Sequence, residues 1–142
     1  MRKIFNVLFL LFSFSQLSCQ NEKIDENQLL KDEVIAIHDE VMPYMGELKS
    51  LKKEIDNKLD SLVQQDSLVH AEEIKKLSLL SEQLDHAFDG MFVWMRQFKA
   101  PDADAEKEEA KSYLLDQKEM VQKVNEDIKE ALKLAKVELA EN

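Results

Sequence analysis

The sequence predicts an all-α protein, an antiparallel up-down-up bundle of three long helices. Three observations carry this. Glycine and proline occur only twice each in 142 residues, so the turn chemistry that builds sheets is nearly missing. Charged residues make up 34% of the chain, in the Leu-, Lys-, Glu-, Asp- and Ala-rich usage of long amphipathic helices. From about residue 28 onward, apolar residues recur at steps of three and four. The length suits one domain.

The first helical stripe is Leu30, Val34, Ile37, Val41, Tyr44, Leu48, Leu51, Ile55, Leu59 and Leu62. At about 100° per residue these share one face. Asp25 with Gln28 suits a capping pair at its start. Pro43 removes a backbone donor inside the run and Gly46 follows a turn later, which predicts a kink or a break there. Gln65-Asp66-Ser67 offers the first connection, with Asp66 or Ser67 as cap. The second stripe is Ile74, Leu77, Leu84, Phe88, Met91, Met95 and Phe98, flanked by Leu80, Ala87 and Trp94. Ala100-Pro101 closes it. Acids between Asp102 and Glu109 open a third helix with Leu114, Met120, Val121, Val124, Ile128, Ala131, Leu134 and Ala135 inward. The pairs Glu54–Lys58, Glu72–Lys76 and Glu119–Lys123 suit exposed faces. Short connections make neighbouring helices antiparallel. A dimeric coiled coil of helical hairpins is the alternative these stripes also permit.

The first residues read as a targeting signal. Arg2 and Lys3 precede an uncharged apolar run from Ile4 to Ser18, which is short for a membrane-spanning helix and suited to the centre of an export signal. Cys19, the only cysteine, follows directly, and then the polar Gln20-Asn21-Glu22-Lys23. The segment resembles the lipobox of bacterial lipoproteins, which implies that Cys19 is lipidated and becomes the first mature residue; Gln16 departs from the usual pattern. The alternative is an ordinary signal cleaved after Ser15 or Ser18, which would leave a stray thiol in an oxidising compartment. The expected organisation is therefore a lipoprotein signal peptide over 1–18, a lipidated cysteine and polar tether over 19–27, and a helical bundle over 28–142. The expected location is the cell envelope, on the outer membrane before the inner, facing the periplasm or the surface.

A formal charge of −10 without a basic stripe argues against nucleic-acid partners. There is no Gly-rich phosphate loop, no His-Glu-x-x-His, no cysteine pair, and no Glu-x-x-His at any of the three histidines. Asp85 and His86 are adjacent on a helix and point about 100° apart, so they do not form a catalytic pair. No enzyme is expected. The constellation that merits weighing is His38 with Met42, Met45, Met91 and Met95. Folding the chain back near residue 66 sets these level with Trp94, and Tyr113 joins them. Thioethers and imidazole suit copper(I) or haem iron. The competing reading, which we prefer on angular grounds, is core packing by adaptable methionines beside an aromatic ring. Phe92 and Trp94 likewise fit either a broad core contact or an exposed patch for a partner protein or a second copy.

The strings His38-Asp39-Glu40-Val41-Met42-Pro43, Met91 to Lys99, and Tyr113-Leu114 running to Val124 resemble a family of uncharacterised small lipoproteins of Bacteroidota. Some of these carry the automatic label viral A-type inclusion protein, which reflects generic coiled-coil composition. The likeness spans most of the chain beyond Cys19. It implies an all-helical lipoprotein and brings no catalytic residues. The expected role is a non-enzymatic envelope module for protein interaction or structure, anchored to the membrane by lipid; a copper- or haem-binding envelope protein is the alternative.

Overall fold

The structure is a computed structural model that describes residues 25–102 and 104–140; the export segment and Cys19 lie outside them. Four α-helices follow in order: α1 (Glu26–Val41), α2 (Met45–Asp66), α3 (Ala71–Gln97) and α4 (Lys107–Ala140). A single 3₁₀ turn, Met42–Tyr44, joins α1 to α2 around Pro43. There is no strand among the described residues. The first rod is thus one long helix bent where proline cannot donate to the carbonyl four residues back. It is the up-down-up bundle with its kink at the expected place.

Burial follows a heptad. Val34, Val41, Leu48 and Ile55 on the first rod are fully buried, as are Leu77, Leu84 and Met91 on α3. Leu114, Val121, Ile128 and Ala135 form the matching row on α4. Seven-residue spacing marks the left-handed packing of near-parallel helices. The row on the first rod passes through the 3₁₀ turn without losing register, so the bend redirects the rod and leaves its inward face intact. One position differs from the constant-angle expectation. Tyr44 is exposed and Met45 takes the inward place, which lets the phenol hydroxyl stay in water.

The cross-helix polar bonds give the directions. Between the first rod and α4, bonded partners stand 85 to 89 positions apart from Glu26–Lys111 to Glu40–Lys129, the signature of parallel helices. α3 runs against both. Lys52 reaches Asp85 at 3.3 Å, and the Ser81 hydroxyl donates to Asp56. α1 and α3 hardly approach backbone to backbone, because Trp94, Phe88, Phe92 and the methionines occupy the space between them.

Capping accounts for the turns. Asp25 accepts from the Asn27 amide at 3.1 Å, while Gln28 turns instead to Asp32. Asp66 Oδ1 accepts from the amides of Leu68 and Val69. Glu106 accepts from the Glu109 amide at 2.8 Å and so caps α4. Tyr113 Oη accepts from the Lys99 amide at 2.8 Å, fastening the end of α3 to α4.

Two buried polar side chains pin the assembly. Asn125, almost fully buried, donates from Nδ2 to the Ile37 carbonyl at 2.8 Å and to Glu40 at 3.0 Å. Glu138, 5% exposed, receives Lys58 at 2.7 Å and Lys76 at 2.6 Å. Here the expected surface pairs give way. Lys58 and Lys76 leave Glu54 and Glu72 for the buried carboxylate, and Lys123 pairs with Asp127. A charge removed from water needs a counter-charge more than an exposed one does.

Lys58, then Lys76, hold the Glu138 carboxyl below the ordinary glutamate range against the opposing effect of burial. Its folded pKa lies under its unfolded one. Its stabilisation is therefore complete above the unfolded value of about 4.3 and is lost as pH falls through the lowered folded value. Glu138→Gln is expected to cost about 1–3 kcal/mol at pH 7 in urea unfolding. That difference should shrink below about pH 4; a gap that stays constant with pH would sink the charged-clamp account.

Candidate functional site

Two places in the bundle offer more than packing. The first is the aromatic and sulfur layer beside the bend. Rings from three helices form a ladder: His38 lies 5.6 Å from Trp94, Trp94 stacks on Phe98 at 4.9 Å, and Phe98 lies 6.3 Å from Tyr113. Met45 and Met91 are buried in this region, and Met42 and Met95 are half-buried against the same core. Met45 and Met91 belong to the bundle core, Met42 and Met95 pack against that core, and His38 lies against Trp94. Sequence angles put His38 and Met42 well off the inward stripe, yet both pack inward. A stripe centre describes one partner, whereas the first rod faces two, α3 and α4.

His38 is oriented with some care. Its Nδ1 lies 2.8 Å from Asp39 Oδ1. An ionised carboxylate only accepts, so Nδ1 donates to Asp39, and in the neutral ring Nε2 presents a lone pair. Nε2 is buried and has no hydrogen-bond partner among the described residues, and the same holds for Trp94 Nε1. A carboxylate behind one imidazole nitrogen and an unused lone pair on the other is the tautomer arrangement that metal-ligating histidines adopt. Among the described residues no group of three or more His, Cys, Asp or Glu side chains is placed to hold a metal ion. Any ligand set here would have to be completed by thioether sulfur, a soft donor. His70 caps the start of α3, and His86 lies exposed on that helix.

The second place was not legible as a site in the sequence. α3 and α4 bury one side of their pairing against the first rod and leave the other open. A groove runs along that open side. Its widest part, about 510 Å³, is floored by Gly90, Val93, Trp94, Met120 and Val124. It continues through His86, Ala87 and Ala131 to Leu79, Leu80, Leu134 and Val137. Neighbouring stretches share a lining residue, Asp127 between the first and second and Gln83 between the second and third, so the three lie in a row along this face. Five large apolar side chains on this one face, Leu79, Val93, Met120, Leu134 and Val137, are 39 to 53% exposed.

These placements correct several expectations. Met120 and Leu134, expected inward, look into the open groove. Trp94 is 3% exposed and so cannot serve as an exposed aromatic patch; only its edge reaches the groove floor. Phe92 is half-buried and packs 4.9 Å from Phe88. The available signal was that α4 carries apolar residues on a band too wide for one seam. Among the described residues no helix is long and apolar enough to cross a membrane.

Compared with protein-family models, with curated proteins and with solved structures, the chain matches none.

Gly90 sits mid-helix in the groove floor, where an added Cβ would meet only the Val124 methyl groups at 3.8 Å, an ordinary contact. Glycine in a helix interior costs backbone entropy. Gly90→Ala is expected to stabilise the bundle by about 0.5–1 kcal/mol in urea melts. A loss of stability would show that the floor tolerates no side chain.

Proposed function

We propose that this chain is a non-enzymatic module that works by protein contact at a bacterial envelope membrane, held there by lipid on Cys19. The observation that carries the interaction half is the open α3–α4 groove. A chain of this composition has water-compatible residues to spare, yet five large apolar side chains gather on one continuous face. Contiguous apolar surface on a folded chain marks a contact site more often than scattered single exposures do. What supports the anchor is the lipobox-like end of the export segment and its resemblance to small Bacteroidota lipoproteins. Acyl chains then supply the membrane affinity.

Each half has its own test. Wild-type chain expressed with a labelled fatty acid should carry the label and fractionate with membranes. Cys19→Ser should lose the label and leave the membrane fraction; an unlipidated wild-type N-terminus ends the anchoring proposal. For the interaction half, a photo-crosslinking residue is placed at Val93, at Met120, and at the exposed Lys53 of α2 in intact cells. Reproducible protein adducts are expected, and their absence from all three positions overturns the module reading.

A second reading has one specific observation in its favour, the buried and unpartnered Nε2 of His38. It assigns copper(I) to His38 together with sulfur from Met42, Met45, Met91 or Met95, with Asp39 fixing the imidazole from behind. Copper(I) titration against a chromogenic chelator decides it. Stoichiometric uptake that His38→Ala and the Met91→Leu, Met95→Leu double variant both abolish would establish the site, and uptake unchanged by either would remove it.

A further inference from the structure

We infer that the occupant of the α3–α4 groove is a cationic amphipathic helix of a partner protein, lying along the groove as a fourth helix of the bundle. The inference rests on the interaction reading above and gives the partner its chemistry.

Shape comes first. From Gln97 to Lys76 the groove follows α3 for about 30 Å at 1.5 Å per residue. It lies between two antiparallel helices, and its lining mixes small residues (Ala87, Gly90, Ala131) with larger ones. That is the negative of a helix presenting apolar side chains at every third and fourth position. An extended peptide would find no open strand edge to pair with among the described residues.

Charge then narrows the occupant. The ionised side chains along the groove are Asp116, Glu119, Asp127, Glu130 and Glu138 against Lys76 and Lys123. The two lysines are engaged, Lys76 with Glu138 and Lys123 with Asp127. Asp116, Glu119 and Glu130 make no ion pair among the described residues. The rim is therefore acidic with its internal counter-charges spent. A helix with an apolar stripe flanked by lysine or arginine satisfies both floor and rim. A second copy does not, because two-fold pairing of identical grooves sets one acidic rim against the other in a chain of net charge −10. The uncharged run from Ile4 to Ser18 has nothing to offer the rim.

Trp94 is the only tryptophan, and its edge reaches the groove floor, so its fluorescence reports occupancy. Two synthetic helices of about 21 residues serve as probes, identical in their leucine stripe and flanked either by lysine or by glutamate. Titrated into the purified full chain, the lysine-flanked peptide is expected to saturate and to bind about tenfold more tightly or better. Its affinity should fall as salt rises. Gly90→Leu fills the floor and Met120→Gln makes it polar, neither altering the charge; either should weaken binding at least tenfold, with unchanged helical content by circular dichroism as the check on folding. Equal binding of the two peptides, or binding indifferent to both variants, overturns the inference. A concentration-dependent dimer that Gly90→Leu abolishes overturns it in favour of self-pairing. The crosslinks keep the two levels apart: adducts at Lys53 alone leave the module reading standing and remove the groove, whereas adducts at no position remove both.

Discussion

Everything in this molecule depends on three rows of side chains that no single helix can hide. Val34 to Ile55, Leu77 to Met91, and Leu114 to Ala135 recur every seventh residue and are buried only because the other two rows cover them. Each fully buried aliphatic side chain is worth about 1.5–3 kcal/mol relative to exposure. Isolated helices of such length and charge are marginal in water, so mutual cover, not intrinsic propensity, makes them persist. The rods have few alternatives. With two glycines and two prolines in the chain, the described residues from Glu26 onward are helical apart from the 3₁₀ turn at Met42–Tyr44 and the connections after Asp66 and Gln97.

Apolar rows alone leave direction and level under-specified, since a heptad seam can slide by seven residues or accept a reversed partner. Two of the buried polar side chains, Asn125 and Glu138, remove that freedom. Asn125 finds acceptors only where the Ile37 carbonyl and Glu40 come level with it, and a slip of one heptad would leave its amide dry and unbonded. Glu138 meets lysines from both α2 and α3, so it fixes three helices at once at the opposite end. Such groups add less to stability than an apolar replacement might, but they penalise every wrong register heavily. The arrangement of one pin near the bend and one near the far turn is what a long bundle needs to hold its alignment at both ends.

The fold was legible because its determinants are local and periodic. The stripes, the Pro43 break and the Asp25 cap each follow from a few neighbouring residues, while α3 ends at Gln97, three residues before the expected stop at Ala100-Pro101. The closeness of His38 to Trp94 was also readable, since an antiparallel fold-back fixes which positions come level. What the sequence concealed is whatever depends on the neighbour's identity. Glu138 reads as one more surface acid, and nothing nearby in sequence shows that Lys58 and Lys76 converge on it. Asn125 reads as a polar interruption in an apolar stripe. Met120 and Leu134 read as core, because periodicity says that a face is apolar without saying whether anything lies against it. The groove is the consequence: it consists of residues whose pattern predicted a partner that the chain itself does not supply.

The position of that groove connects the two halves of the proposed function. Its wide end, at Gln97 and Asp116, lies near the start of α1, because Glu26 pairs with Lys111 and Asn27 donates to the Lys107 carbonyl. From Cys19 to Asp25 the chain can span at most about 20 Å when fully extended. With acyl chains on Cys19, the mouth of the groove would therefore stay close to the bilayer surface, while the exposed Leu68-Val69 tip stands at the other end of the bundle. A lysine-rich amphipathic helix also binds anionic lipid surfaces. The acidic rim would then compete with the membrane for the same helix, over a distance set by the tether, so the strength of the contact would depend on lipid charge as well as on the groove. Under that proposal tether length and rim charge would act on one equilibrium, and the short polar segment after Cys19 would belong to the binding problem as much as to the anchoring one.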